Sequence, residues 1–257
     1  MGKYNSAAVI VTAVEVETAA IMRMFDGWKE IDLPDDNTTY YETTIERDGR
    51  SHRIITCQQP VMGMTSSTML SAKAVHAFKP QYLVLCGIAA GIGDNVSQMY
   101  GDVIVPDTVW DYSTGKFVGA DSAAIRYGDI GFLPRPTRIG TDPEIISLIR
   151  DVMKRPDNEW TIHIGPMACG SSVVANKEVV EKQIKSLIPH TAGLDMESYS
   201  ILYVAENMPE PRPKALVAKS ICDFADSGKS DTFQKFAAHT STEFVKYLLE
   251  NHLPLDD

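Results

Sequence analysis

Long apolar runs alternate along this chain with stretches of helical period. Ala7-Ala8-Val9-Ile10-Val11-Thr12-Ala13 is almost continuously apolar, as are Tyr82-Leu83-Val84-Leu85-Cys86 and Ala215-Leu216-Val217-Ala218. Runs of this length without polar alternation predict strands buried on both faces. Gly101-Asp102-Val103-Ile104-Val105-Pro106 and Thr161 to Cys169 predict two more. Thr38 to Glu46 and His52 to Cys57 read as a hairpin turning at Asp48-Gly49. Between these lie predicted helices. One follows Thr18, with Ala19, Ala20, Met22 and Phe25 as its apolar positions. Others cover Thr65 to Phe78 (stopped by Pro80), Pro143 to Lys154, Lys177 to Leu187, Ser198 to Asn207 (stopped by Pro209) and Asp231 to Asn251. Residues 27 to 37 and 113 to 140 read as irregular. Strands alternating with helices predict an α/β fold, and the hairpin makes its central sheet mixed rather than purely parallel.

Composition narrows the function classes. The 257 residues are 44% hydrophobic and 23% charged, ordinary for a folded domain, and no linker or repeat divides them. A single domain over residues 1–257 is therefore expected. The net charge of -10 argues against a nucleic-acid backbone or an anionic membrane as partner, while leaving a small anionic ligand open. The opening residues run straight into a strand without a leader pattern, and no apolar stretch nears the roughly 18 residues of a membrane span. The four cysteines are scattered, which suits reduced thiols and a cytoplasmic setting. The six histidines show no ligand spacing, so no metal and no cofactor is expected.

Acidic residues mark several strand ends. Asp223, in Lys219-Ser220-Ile221-Cys222-Asp223-Phe224-Ala225-Asp226, follows a core strand, where open α/β sheets place their ligands. Its apolar neighbours disfavour its charge, which suits a carboxyl asked to donate a proton; an Asp here serves equally as a cap or turn residue. Glu15 and Glu17 follow the first strand, where the helix macrodipole alone accounts for acids. The run Gly87-Ile88-Ala89-Ala90-Gly91 lets a ligand approach the backbone but is neither a dinucleotide fingerprint nor a P-loop; a plain tight turn explains it as well.

Taken in order, these junctions resemble the nucleoside phosphorylase and nucleosidase superfamily, and within it the 5'-methylthioadenosine/S-adenosylhomocysteine nucleosidases. The matching stretches are Glu15-Val16-Glu17, Gly87 to Gly91, Gly101 to Val105, Gly170-Ser171-Ser172-Val173-Val174, Asp195-Met196-Glu197-Ser198 and Cys222 to Asp226. The resemblance implies a three-layer sandwich, a mixed central sheet flanked by helices. It implies Glu17 as the water-activating base, Asp223 as the acid facing purine N7, and Glu197 on the ribose hydroxyls with Met196 against the sugar. Val174 corresponds to the position whose backbone reads the adenine edge, Val173 to a base-stacking position, and Phe233 to an aromatic over the base or the 5' group. Ala89, Ala90 and Gly91 line the sugar pocket. A homodimer, with residues 113 to 140 closing a neighbour's pocket, is implied as well.

Three features depart from the pattern: Ile88 and Ala89 replace a Ser or Thr, Cys222 replaces a Ser, and aliphatic Val173 replaces an aromatic. The expected activity is hydrolysis of a purine nucleoside's N-glycosidic bond. Two alternatives stand beside it. One is a purine nucleoside phosphorylase, disfavoured because Glu15 and Glu17 occupy the loop where phosphorylases carry a phosphate-binding Arg. The other is a catalytically weak nucleoside- or nucleotide-sensing module. A methylthio tail would suit Phe233 and Met62-Gly63-Met64; a phosphorylated 5' end would need cations such as Lys116, Arg126, Arg135, Arg138 or Lys229.

Overall fold

A computed structural model describes residues 3–92, 98–118, 132–228 and 230–256. In chain order it contains β1 (Ser6–Thr12), α1 (Glu15–Met24), β2 (Lys29–Ile31), β3 (Tyr40–Arg47), β4 (Arg50–Gln58), α2 (Met64–Phe78), β5 (Pro80–Gly91) and β6 (Val103–Asp111). These are followed by β7 (Gly115–Phe117), β8 (Phe132–Pro134), β9 (Arg138–Gly140), α3 (Pro143–Val152), β10 (Ile162–Cys169), α4 (Lys177–Val179), β11 (Gly193–Asp195), α5 (Ser198–Asn207), β12 (Lys214–Asp223) and α6 (Gln234–Asn251).

The central sheet is mixed, in the order β11-β10-β6-β12-β5-β1-β4-β3-β2, and β11 also pairs with β5. That extra pairing joins Leu194 to Ala90 and Gly193 to Gly91, so five strands close into a small barrel while the others extend as an open sheet. β4, β1, β5 and β12 run parallel, which brings their carboxyl ends to one edge. The fold is the expected three-layer one. Ile21 of α1 and Phe25 just after it, Ile145 and Ile149 of α3, and Phe244 and Leu248 of α6 cover one sheet face. Leu70 and Phe78 of α2 and Ile201 and Val204 of α5 cover the other. Each such side chain, fully buried, stabilises by roughly 1.5–3 kcal/mol.

Departures from the predicted elements have local causes. Lys177 to Leu187 is not one regular helix: α4 opens into a π-helical turn, Val180–Lys185, in which Ser186 N–H reaches back five residues to Glu181 O. The turn keeps Val180 and Ile184 inward, so the hydrophobic spacing looks α-helical. The stretches read as irregular contain the three-residue strands β2, β7, β8 and β9, too short to show alternation. β12 runs on through Asp223, well past the predicted end at Ala218. Asp48 and Gly49 both have positive φ, as the hairpin reading requires.

Candidate active site

A cavity opens at the carboxyl edge of the parallel strands. Glu17, Glu197 and Asp223 all line it, together with Ala89, Ala90, Val173, Val174 and Met196. Eight of the ten residues singled out from sequence are thus brought together. The other two lie outside its lining. Gly91 sits on the β5–β11 closure, where an added methyl would meet Ile221. Phe233 stacks on Tyr100, ring centroids 3.9 Å apart, and its neighbour Gln234 lines the cavity instead. Among the proposed cations, Lys116, Arg135 and Arg138 are outside the lining, and Arg126 and Lys229 fall outside the described residues.

Glu17 is set by the start of α1. Its Oε2 accepts from Ala13 N–H at 2.6 Å and Val14 N–H at 3.3 Å, turning the carboxylate back over the strand end. Its Oε1 accepts from Ile88 N–H at 2.8 Å on β5. Gly87 makes this approach possible, since a methyl there would collide with the Glu17 carboxylate. Glu15, by contrast, is exposed, as a helix-start acid should be. Glu197 stands at the N-terminus of α5, and its Oε1 accepts from Gly63 N–H at 2.9 Å and Gln59 Nε2–H at 3.3 Å. Gly63 has φ 110, a backbone conformation that glycine adopts without strain.

The residue sequence reasoning missed is Lys219. It lies in mid-strand on β12, 1% exposed, with its Nζ 3.5 Å from Glu17 Oε1 and 3.6 Å from Glu197 Oε2. Burial alone pushes an ammonium's pKa down, but Glu17, Glu197 and Asp195 outweigh it and the net shift is upward, so Lys219 stays charged. Lys219 stands beside Gly87 in the β12–β5 register, which places the cation next to the glycine that admits Glu17. The one signal available was a lysine interrupting an apolar run, and its partners lie far away in the chain.

Asp195 borders the cavity below Glu197. Burial raises its pKa to about 6, with Lys219 lowering and Glu197 raising it, while Ser198 Oγ donates to it at 2.6 Å. Asp223 ends β12 where the register with β5 slips: Ile221 pairs with Ala89 and Asp223 with Ala90, so Cys222 is the extra residue of a bulge. Asp223 Oδ1 accepts from Ala225 N–H at 2.9 Å, and the Cys222 thiol lies 3.5 Å from Oδ2. Above the cavity, the 170–174 loop is held by Tyr112, whose hydroxyl donates to Ser172 O at 3.0 Å. A methyl at Gly170 would occupy the space of that ring. Among the described residues no cluster of His, Cys, Asp and Glu could hold a metal, and no helix is long and apolar enough to cross a membrane.

The chain, with its carboxylate-lined cavity at the strand ends of a partly closed mixed sheet, belongs to the phosphorylase superfamily, whose family profile matches residues 7–250. Among curated relatives it is 26% identical to an uncharacterised protein of Sinorhizobium fredii, over 97% of this chain and 65% of that one. It is 24% identical to an ATP nucleosidase, Cap17, of Escherichia coli, over 91% and 49%. The chain thus spans between about half and two thirds of the length of these relatives. It is also 25% identical to the 5'-methylthioadenosine/S-adenosylhomocysteine nucleosidase of Buchnera aphidicola, over 74% and 76%. Solved structures share the fold. The nucleosidase of that type from Neisseria meningitidis, in complex with methylthio-immucillin-A, superposes with a TM-score of 0.74 at 19% identity, covering 95% of this chain and 99% of that one. Futalosine hydrolase of Helicobacter pylori gives 0.73 at 22%, covering 95% and 97%.

Proposed function

We propose that the chain is a purine nucleosidase, hydrolysing the N-glycosidic bond of an adenosine-type, 5'-modified nucleoside such as 5'-methylthioadenosine or S-adenosylhomocysteine. The observation that carries this reading is the convergence of Glu17, Glu197 and Asp223 on one cavity, with Lys219 between the first two. Breaking the bond leaves an oxocarbenium-like sugar and a purine that departs easily only when protonated. Asp223 delivers the proton to N7, and Glu17, oriented by three amides and Lys219, accepts a proton from the attacking water. Glu197, with Oε1 fixed by Gly63, accepts from the ribose hydroxyls, and those bonds strengthen as positive charge develops on the ring.

The charge of the lining supports water over phosphate as the nucleophile. Even leaving out Asp223, which supplies a proton, Glu17, Asp195 and Glu197 line the cavity against one cation among the described residues, Lys219. Such a field favours a cationic transition state and repels an incoming anion. Met62 and Val173 at the opening are apolar and exposed, which favours an uncharged 5' substituent. The test is a panel of purine nucleosides and nucleotides, ATP included, incubated with and without phosphate, with released base and sugar identified by chromatography. Free adenine and unphosphorylated sugar from a thioether nucleoside are expected; a sugar 1-phosphate formed only with phosphate, or no base release at all, overturns the proposal.

A further inference from the structure

The bulge that aims Asp223 is built from outside β12. Ile221, the last residue in register before the bulge, makes both of its backbone hydrogen bonds to the turn preceding β6: its N–H donates to Asp102 O at 2.9 Å, and its carbonyl accepts from Gly101 N–H at 3.0 Å. That turn is closed by the backbone bond of Asp102 N–H to Met99 O at 3.1 Å and is reinforced by one side chain. Asp102 is buried, and its Oδ2 accepts from Met99 N–H at 2.9 Å and pairs with His163 Nε2 at 2.8 Å. His163 projects from β10, which pairs with β6 on the side away from β12, so the pair ties the turn to that neighbouring strand. The same turn grips the segment beyond Asp223. Tyr100 packs edge-on against Phe224, centroids 5.1 Å apart, and stacks on Phe233. Gly101, at φ 93, lies under the ring of Phe236 with no room for a side chain. The chain on both sides of Asp223 is therefore referenced to one turn, and Asp102 fixes the shape of that turn.

We propose that Asp102, braced by His163, is a positioning residue for the leaving-group acid: through the 99–102 turn it sets the Cys222 bulge and hence the placement of the Asp223 carboxyl. The inference rests on the reading of Asp223 as that acid. Asp102 does not line the cavity, so its effect belongs in the chemical step and not in nucleoside binding. An amide at position 102 keeps an acceptor for Met99 N–H but loses the charge that holds His163.

The experiment is a double-mutant cycle on 5'-methylthioadenosine in single and multiple turnover, with Asp102→Asn, Asp223→Asn and the pair, each checked by thermal melting. Asp102→Asn is expected to lower kcat at least tenfold with KM within about threefold, and to cost little further when combined with Asp223→Asn. If Asp102→Asn does not fold, His163→Ala takes its place in the same cycle, because it removes the brace and leaves the backbone bonds of Asp102 in place. An unchanged kcat, a loss confined to KM, or an equal loss with and without Asp223→Asn overturns the positioning role. A fully active Asp223→Asn enzyme overturns the acid assignment itself, a distinct result that the same cycle reads directly.

Discussion

Replacing Lys219 by Met keeps the length of the side chain and deletes its charge. At 3.5 and 3.6 Å, and with an effective dielectric near 20, each of its ion pairs is worth about 5 kcal/mol of Coulomb attraction. Dehydrating the ammonium offsets much of that sum. What remains after deletion is two buried carboxylates without a counter-charge, and losing one partner of such a set costs about 3–5 kcal/mol. A folded domain has only about 5–15 kcal/mol in total, so the variant should sit close to unfolding. Because the pKa of Lys219 is raised, its contribution is present in full below the ordinary value of 10.5 and is lost only as pH climbs beyond that. The measurement is urea denaturation followed by circular dichroism at pH 8 and pH 5. Lys219→Met is expected to lose about 3–5 kcal/mol at both pH values, since the ammonium it deletes is charged across that whole range. Adding Glu17→Gln and Glu197→Gln to the same chain should return most of the loss. A single variant within about 1 kcal/mol of wild type at both pH values would refute the claim that Lys219 neutralises this pair.

Gly87→Ala should place a methyl where the Glu17 carboxylate now lies, displacing that carboxylate and cutting kcat by about 100-fold while the melting temperature falls only modestly. Asp223→Asn should lower turnover by roughly 10²–10⁴-fold, leaving a residual rate measurable in single turnover, without unfolding the chain, and Glu17→Gln should bind nucleoside yet fail to hydrolyse it; isothermal titration beside a base-release assay separates these outcomes. Asp195, raised from 3.8 to about 6, gives stability that is present below about pH 4 and lost as pH rises through 6, by up to about 3 kcal/mol. Asp195→Asn should flatten that part of the stability curve in denaturant titrations.

The buried strands were legible because parallel strands covered on both faces carry no polar alternation, and β1, β5 and the front of β12 announce themselves this way. Glu17, Glu197 and Asp223 were legible as acids at strand ends, but composition and period alone left Glu17 interchangeable with Glu15. Only its burial against Ile88 separates the two. Lys219 was illegible for a physical reason: a lysine after an apolar run reads as the place where burial ends. Here burial continues because the compensating charges come from other elements, one of them 202 positions away. Phe233 and Gly91 were placed by resemblance, and the aromatic stack on Tyr100 and the β5–β11 closure put them to structural use outside the cavity lining.

That 202-position separation bears on how the protein is made. A nascent chain emerging from the ribosome completes the helix carrying Glu17 early, and Glu197 follows, while the ammonium that reconciles them is still unsynthesised. Until β12 slides between β5 and β6, drawing the two acids together in a dry interior is electrostatically penalised, so the carboxylate-lined cavity should take shape only after β12 has joined the sheet.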